Sequence, residues 1–476
     1  MRKDFSRTKI IATLGPASSD KEVLRKMFIS GLDVCRINFS HSSYEDAENL
    51  IKTIRELNKE LDSDVAILAD LQGPKLRVGE IEHGKVFLAN GSTIEFVTEK
   101  CLGTASKVYM SYQEFPKDVK EGDIVLIDDG KLKLEVLKTN RIDTVVAKVI
   151  YGGNLSSYKG VNLPNTDISL PSLSDKDIED ATFAIEQNVD WIALSFVRRP
   201  SDVIELKQLI KRKRKNIYVI SKIEKPQAVK NLDAILAETD AIMVARGDLG
   251  VEMPFDRVPL LQKEIVEKCI DASVPVIIAT QMMESMITNF RPTRAEANDV
   301  ANAVIDGVDT VMLSGETSVG MFPVETIESM HQIIQYTENN RYKYNRGVPP
   351  VPGSPRFIRD NICYSASLMA ERVGAKAIIT FTDEGNTAKT ISGYRPKADI
   401  YAVTRRKELM SVLSMLWGVR AFYIDEINNI DQAIELSIQI LKQKGCLKAG
   451  DYIIHVASTP MHITHKTNML KVSLVE

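Results

Sequence analysis

With 476 residues the chain has length for about three domains and for a large buried core. Its 61 lysines and arginines against 64 aspartates and glutamates leave a formal charge of -3, so the global balance gives no steering toward nucleic acid. The five cysteines, Cys35, Cys101, Cys269, Cys363 and Cys446, are scattered without a C-x-x-C pair, which argues against a zinc site and for a reducing compartment.

Met1-Arg2-Lys3-Asp4-Phe5 leads into a strand-like run without an apolar signal core, and no stretch reaches the roughly 18 apolar residues of a membrane span. The expectation is a cytoplasmic protein that does not meet a membrane. Short apolar runs then alternate with helix-like stretches. Lys9–Leu14, Val34–Phe39 and Val65–Asp70 come first. After an interruption follow Trp191–Val197, Ile217–Ser221, Ala241–Ala245, Val274–Thr280 and Thr310–Ser314. Eight such strands predict a parallel (β/α)8 barrel over residues 1–70 and 171–345, with its chemistry at the C-terminal strand ends.

The interruption, residues 71–170, carries strand-like runs separated by Glu82-His83-Gly84, Asn90-Gly91, Asp128-Asp129-Gly130 and Gly152-Gly153. This is hairpin chemistry, and it predicts a small antiparallel β-barrel inserted as a lid over the active end. The Pro-rich segment Val348–Pro355 then leads into residues 346–476, where strand-like runs near Ala377, Ile400, Ala421 and Tyr452 alternate with helical stretches. An α/β sandwich is expected there.

The polar residues of interest fall at the ends of the predicted barrel strands. Lys222 and Glu224 lie two apart and point to one side, while Asp248 follows the next strand after Gly247, where the backbone can approach a ligand closely. Two carboxylates from neighbouring strand ends suit a hard divalent cation, and the lysine faces the anion that the cation also binds. Arg36, Asn38 and Ser40 alternate along the second strand and are expected on one side, with a guanidinium fork for phosphate and oxygens for a cation. Asp70-Leu71-Gln72-Gly73-Pro74-Lys75-Leu76-Arg77 closes the third strand and forms a stiff hinge, from which Arg77 offers a second phosphate contact. Thr280, at the end of the seventh strand, is placed either to relay a proton through water or to cap the following helix.

Other features read more plainly. Thr293 and Glu296 make a capping box. The basic run Lys211–Lys215 is a solvated helix end, His462 and His465 are a surface pair, and Met282, Met283 and Met286 fill core gaps.

Assembled in order, Arg-Ile-Asn-Phe-Ser-His from Arg36, Lys-Ile-Glu from Lys222, Ala-Arg-Gly-Asp-Leu-Gly from Ala245, Ala-Thr-Gln-Met-Met-Glu-Ser-Met from Ala279 and Arg-Pro-Thr-Arg-Ala-Glu from Arg291 resemble the pyruvate kinase family over essentially the whole chain. The resemblance implies glycolytic phosphoryl transfer from phosphoenolpyruvate to ADP, giving pyruvate and ATP. By it, Glu224 and Asp248 would hold Mg²⁺ or Mn²⁺, Lys222 and Arg36 would bind the transferring phosphoryl group, and amides near Gly247 and Asp248 would receive the substrate carboxylate with Thr280. Asn38, His41, Arg77 and Lys159 would contact the nucleotide phosphates. A homotetramer is implied on the same ground.

Two departures stand out. Potassium-dependent members carry Asp-Thr-Lys-Gly-Pro-Glu where this chain has Asp70-Leu71-Gln72-Gly73-Pro74-Lys75. Asn38, Ser40, Asp70 and Leu71 match the monovalent-ion positions, yet Lys75 brings an internal cation, so K⁺ is expected not to be required. At Thr382-Asp383-Glu384-Gly385-Asn386-Thr387 two carboxylates stand where regulated relatives cradle an effector phosphate, which predicts weak or absent activation by fructose 1,6-bisphosphate. The competing readings are a metal-dependent aldolase-type barrel handling phosphoenolpyruvate or pyruvate, and a catalytically silent metabolite sensor.

Overall fold

The structure is a computed structural model in which residues 5–164, 166–425, 429–460 and 467–476 are described; the His462 and His465 pair lies outside them. Eight parallel strands close a barrel: Lys9–Thr13, Val34–Asn38, Ala66–Asp70, Trp191–Leu194, Tyr218–Ile223, Ala241–Ala245, Val276–Ala279 and Thr310–Leu313. Each pairs with its neighbours in sequence order, and the first pairs with the eighth through Lys9 to Ala12 against Thr310 to Leu313. Their near-continuous apolar character follows from burial on both faces, inside the barrel and under the helices.

Between the third and fourth barrel strands, eight short strands form a six-stranded and a two-stranded sheet around a separate core that includes Phe96, Phe115 and Leu134. Pairing there is antiparallel except between Thr93–Val97 and Lys107–Tyr109, which run parallel. This cap touches the barrel through Asn162, whose Nδ2 donates to Glu252 Oε1 at 2.9 Å.

The C-terminal part is a five-stranded sheet in the spatial order Val419–Tyr423, Asp399–Thr404, Ala377–Phe381, Tyr452–Ala457 and Met469–Leu474, with only the last strand antiparallel. One face of it is continuous with the barrel core, and the segment Met415–Val419 forms a floor under the barrel. Thr310 Oγ1 donates to Met415 O at 3.1 Å, Lys9 Nζ to Val419 O at 3.3 Å, and Gly418 N to Arg7 O at 2.9 Å. Buried Arg395 joins the same floor, its Nη2 lying 2.7 Å from Asp309 Oδ2.

Three of the plain readings hold. Lys211 and Arg212 lie in the last turn of the helix Pro200–Arg212, Met282, Met283 and Met286 are fully buried, and Thr293 caps Arg294–Asp306 with Glu296 in a reciprocal box. Among the described residues no helix is long and apolar enough to cross a membrane.

Candidate active site

At the C-terminal end of the barrel, strand alternation brings a chain of opposite charges together. Arg36 Nε lies 2.7 Å from Asp70 Oδ2, Lys222 Nζ lies 3.3 Å from Asp70 Oδ1, and Lys222 Nζ lies 3.0 Å from Glu224 Oε1. The expectation that Lys222 and Glu224 share a side is thereby met. Further bonds fix the array. Arg36 Nη1 donates to Thr13 Oγ1 at 2.7 Å, Lys222 Nζ to Ser195 Oγ at 2.8 Å, and Phe196 N to Glu224 Oε2 at 2.8 Å.

Burial alone would pull the Lys222 ammonium toward neutrality, but Asp70 first, then Glu224 and Asp248, outweigh it and drive its pKa upward. The lysine is therefore a fixed, dehydrated positive charge. Asp70 is penalised by burial, yet Lys222 and Arg36 hold it below the usual carboxylate range. Glu224 goes the other way. Burial and then the nearby Asp248 carboxylate raise its pKa against the pull of Lys222. Two carboxylates that repel each other in a buried site carry surplus negative charge, which a hard divalent cation would neutralise, so this donor pair fits Mg²⁺ or Mn²⁺. Among the described residues no larger cluster of His, Cys, Asp or Glu gathers, so the remaining ligands of such an ion would come from substrate or water.

Thr280 is not a helix cap; the next helical turn, Glu284–Ile287, has no side-chain cap. Its φ is +70° and that of Gln281 is +55°, so two successive non-glycine residues sit in the left-handed region, at roughly 1–3 kcal/mol each. The Thr280 hydroxyl donates to Ala279 O at 2.6 Å and accepts from Gly247 N at 2.8 Å. One amide expected to receive a substrate carboxylate is thus occupied by Thr280. Asp248 lies in the first turn of the short helix Arg246–Glu252.

Ser40 lies beyond the second strand, in a turn, where its backbone N donates to Asn38 Oδ1 at 3.1 Å; strand alternation does not set its direction, contrary to the sequence expectation. His41 sits among cations: burial first, then Lys75, Arg77 and Arg36, lower its pKa. Burial and then Arg77 also lower that of Lys75, with Asp248 opposing and Lys222 adding to the effect. Arg77 Nη1 donates to Tyr158 O at 3.0 Å, which ties the hinge to the cap beside Lys159, and Lys159 itself pairs with Asp128 at 2.9 Å. Leu71 is buried, and its carbonyl accepts from Ser195 Oγ at 2.7 Å. Asp70 Oδ2 is bonded to Arg36, while Oδ1 has Lys222 Nζ at 3.3 Å as an ion-pair partner but no hydrogen bond among the described residues.

Sequence reasoning gave no role to Thr13, Ser195, Arg246 or Asp299. Ser195 and Arg246 stand at barrel strand ends, so the rule that located Lys222 pointed to them as well. Thr13 ends the first barrel strand, so the same rule covered it too. Asp299 lies in a helix far along the chain.

The chain matches the family "Pyruvate kinase, barrel domain" over residues 5–327 and "Pyruvate kinase, alpha/beta domain" over residues 360–473. It is 42% identical over 466 residues to a pyruvate kinase of Mycobacterium intracellulare, covering 98% of each chain. It is also 42% identical over 469 residues to that of Corynebacterium glutamicum, again covering 98% of each. Among solved structures, a pyruvate kinase from Cryptosporidium parvum superposes with a TM-score of 0.92 at 37% identity, covering 99% of this chain and 96% of the other. Lys222 and Glu224 at the end of one barrel strand, the matched families and these relatives place the chain in the pyruvate kinase family, as a phosphotransferase.

Proposed function

We propose that the chain moves the phosphoryl group of phosphoenolpyruvate to ADP: the bond from phosphorus to the enol oxygen breaks, a bond to a β-phosphate oxygen of ADP forms, and C3 of the enolate takes a proton to give pyruvate. The observation that carries this reading is the charged, largely enclosed Lys222, held between Asp70 and Glu224 at 3.3 and 3.0 Å. A fixed ammonium there stabilises charge on the migrating group and on the enolate without reorganisation during the reaction. Arg36 steadies the same group, and its geometry is set by Asp70 and Thr13. Glu224 and Asp248 would hold Mg²⁺ or Mn²⁺, which when bound neutralises substrate oxygens as a Lewis acid. Thr280 joins the proton relay to C3. Asn38, His41, Arg77 and Lys159 take the nucleotide phosphates, the cations His41 faces being suited to that charge.

The K⁺ reading is supported by Lys75, whose ammonium interacts with Asp248 and Lys222, and by Asp70, whose oxygens already serve two cations. Near the expected effector loop the structure adds what the sequence reading overlooked: Arg405 Nη2 lies 2.9 Å from Asp383 Oδ2. Arg406 Nη1 also donates to Asp383 O at 3.2 Å, so both neighbouring guanidinium groups are engaged within the loop itself. Assembly as a cytoplasmic homotetramer belongs to the same proposal.

One assay with three arms tests these points, following pyruvate formation with Mg²⁺. ADP-dependent pyruvate production is expected, equal rates in tetramethylammonium and potassium buffers, and an unchanged half-saturating phosphoenolpyruvate concentration on adding fructose 1,6-bisphosphate. No turnover by folded protein would sink the activity, strong activation by potassium the Lys75 reading, and a marked fall in half-saturation the effector reading. Light scattering on the same protein checks the tetramer, and a monomer or dimer would end that part.

A further inference from the structure

Arg246 opens the short helix Arg246–Glu252, and a guanidinium at a strand end beside a phosphoryl site invites a role in binding phosphate. Its contacts assign it elsewhere. The side chain is 13% exposed, and its donors are spent inside the molecule. Nε and Nη2 donate to the Thr280 carbonyl at 3.3 and 2.8 Å, and Nη2 also to Gln281 O at 3.2 Å. Nη1 lies 2.8 and 2.7 Å from the two oxygens of Asp299, which fixes the plane of the fork.

These bonds converge on the left-handed pair Thr280 and Gln281, whose φ values of +70° and +55° do not persist without support from their surroundings. The Thr280 hydroxyl is held on one side by Gly247 N at 2.8 Å, and its backbone carbonyl on the other by Arg246. Gly247 is the next residue along, so one stretch of chain grips the turn twice. We propose that Arg246, oriented by Asp299, is a positioning residue for Thr280: it keeps the strained turn in place so that the hydroxyl stays where the proton relay to C3 needs it. This inference rests on the reading of Thr280 as part of that relay.

The test uses the full-length enzyme with Mg²⁺ and the variants Arg246→Lys, Asp299→Asn and Thr280→Val. Lysine keeps the charge but not the planar fork. Two quantities are measured: kcat and KM for phosphoenolpyruvate, and exchange of the pyruvate methyl protons with deuterium oxide followed by NMR. In Arg246→Lys, kcat and exchange are expected to fall together by roughly 10- to 100-fold, with KM changed by less than about threefold. Asp299→Asn should show a smaller change in the same direction, and it decides the matter if Arg246→Lys does not fold. Exchange and kcat within about twofold of the parent in the folded variant, or a rise in KM alone, would overturn the inference. If Thr280→Val exchanges at the parent rate, the relay reading itself fails; if it loses exchange while Arg246→Lys keeps it, only the role of Arg246 fails.

Discussion

At the scale of single residues, Lys222 is held in place by carboxylates that would be destabilised without it. Asp70 and Glu224 are each about 1% exposed, so removing the ammonium leaves buried negative charge uncompensated as well as removing a donor from the reaction. Lys222→Met is therefore expected to lower kcat by on the order of 10²- to 10³-fold and to lower the melting temperature. Pyruvate formation and circular dichroism read the two effects, and a variant within tenfold of the parent rate would contradict this assignment. The sequence made Lys222, Glu224 and Asp248 visible because strand alternation and a strand-end rule suffice to place them. It could not show that Asp70 is the hub between Arg36 and Lys222, because that depends on how adjoining strands register: Asn38 lies opposite Asp70 across the sheet. Nor could it show that Gly247 N is already bonded to Thr280 Oγ1.

Among the elements, the strand Tyr452–Ala457 lies inside the C-terminal sheet and carries His455, which is fully buried and stacks on Phe381 at 6.5 Å between ring centres. Neither ring nitrogen has a hydrogen-bond partner among the described residues. Burial first, then Lys471, lower its pKa from 6.5 to about 4. The unfolded chain takes up a proton that the folded chain refuses, so this histidine costs stability as pH falls from the unfolded pKa toward the folded one and costs nothing above that window. Between pH 7.5 and pH 5 the loss is about 2 kcal/mol, and His455→Leu should remove that part. Urea midpoints at the two pH values measure it; an equal pH dependence in parent and variant would refute the account. The barrel strands were legible because parallel strands buried on both faces read as apolar runs. Met469–Leu474 was not, since it is a largely exposed edge strand with Lys471 and Ser473 breaking the run. The parallel pairing of Thr93–Val97 with Lys107–Tyr109 in the cap was equally hidden, because hairpin turns report antiparallel neighbours only.

Across the whole molecule, the barrel floor and the C-terminal sheet meet at one buried ion pair, Arg395 with Asp309 at 2.7 Å. Asp309 also accepts from Val276 N at 3.0 Å and from Trp417 N at 3.2 Å, so a single carboxylate links the seventh strand to the C-terminal part. Arg395→Met leaves that charge buried without its cation and is expected to cost about 3–5 kcal/mol. Calorimetry should show a lower unfolding temperature, with much of the loss recovered in Arg395→Met/Asp309→Asn. An unchanged melting profile would show the pair to be dispensable.

The floor formed by Met415–Val419 has a consequence for how the molecule is made. The first strand leaves the ribosome early, yet its edge partner ends at Leu313 and the carbonyl that receives Lys9 Nζ belongs to Val419. The seam of the barrel cannot close until two thirds of the chain exists, and its underside stays open until most of the remainder has emerged. During synthesis the first strand meets Val34–Asn38 early but keeps its other edge open until Thr310–Leu313 arrives, so guarding that edge falls to whatever meets nascent chains rather than to the fold itself.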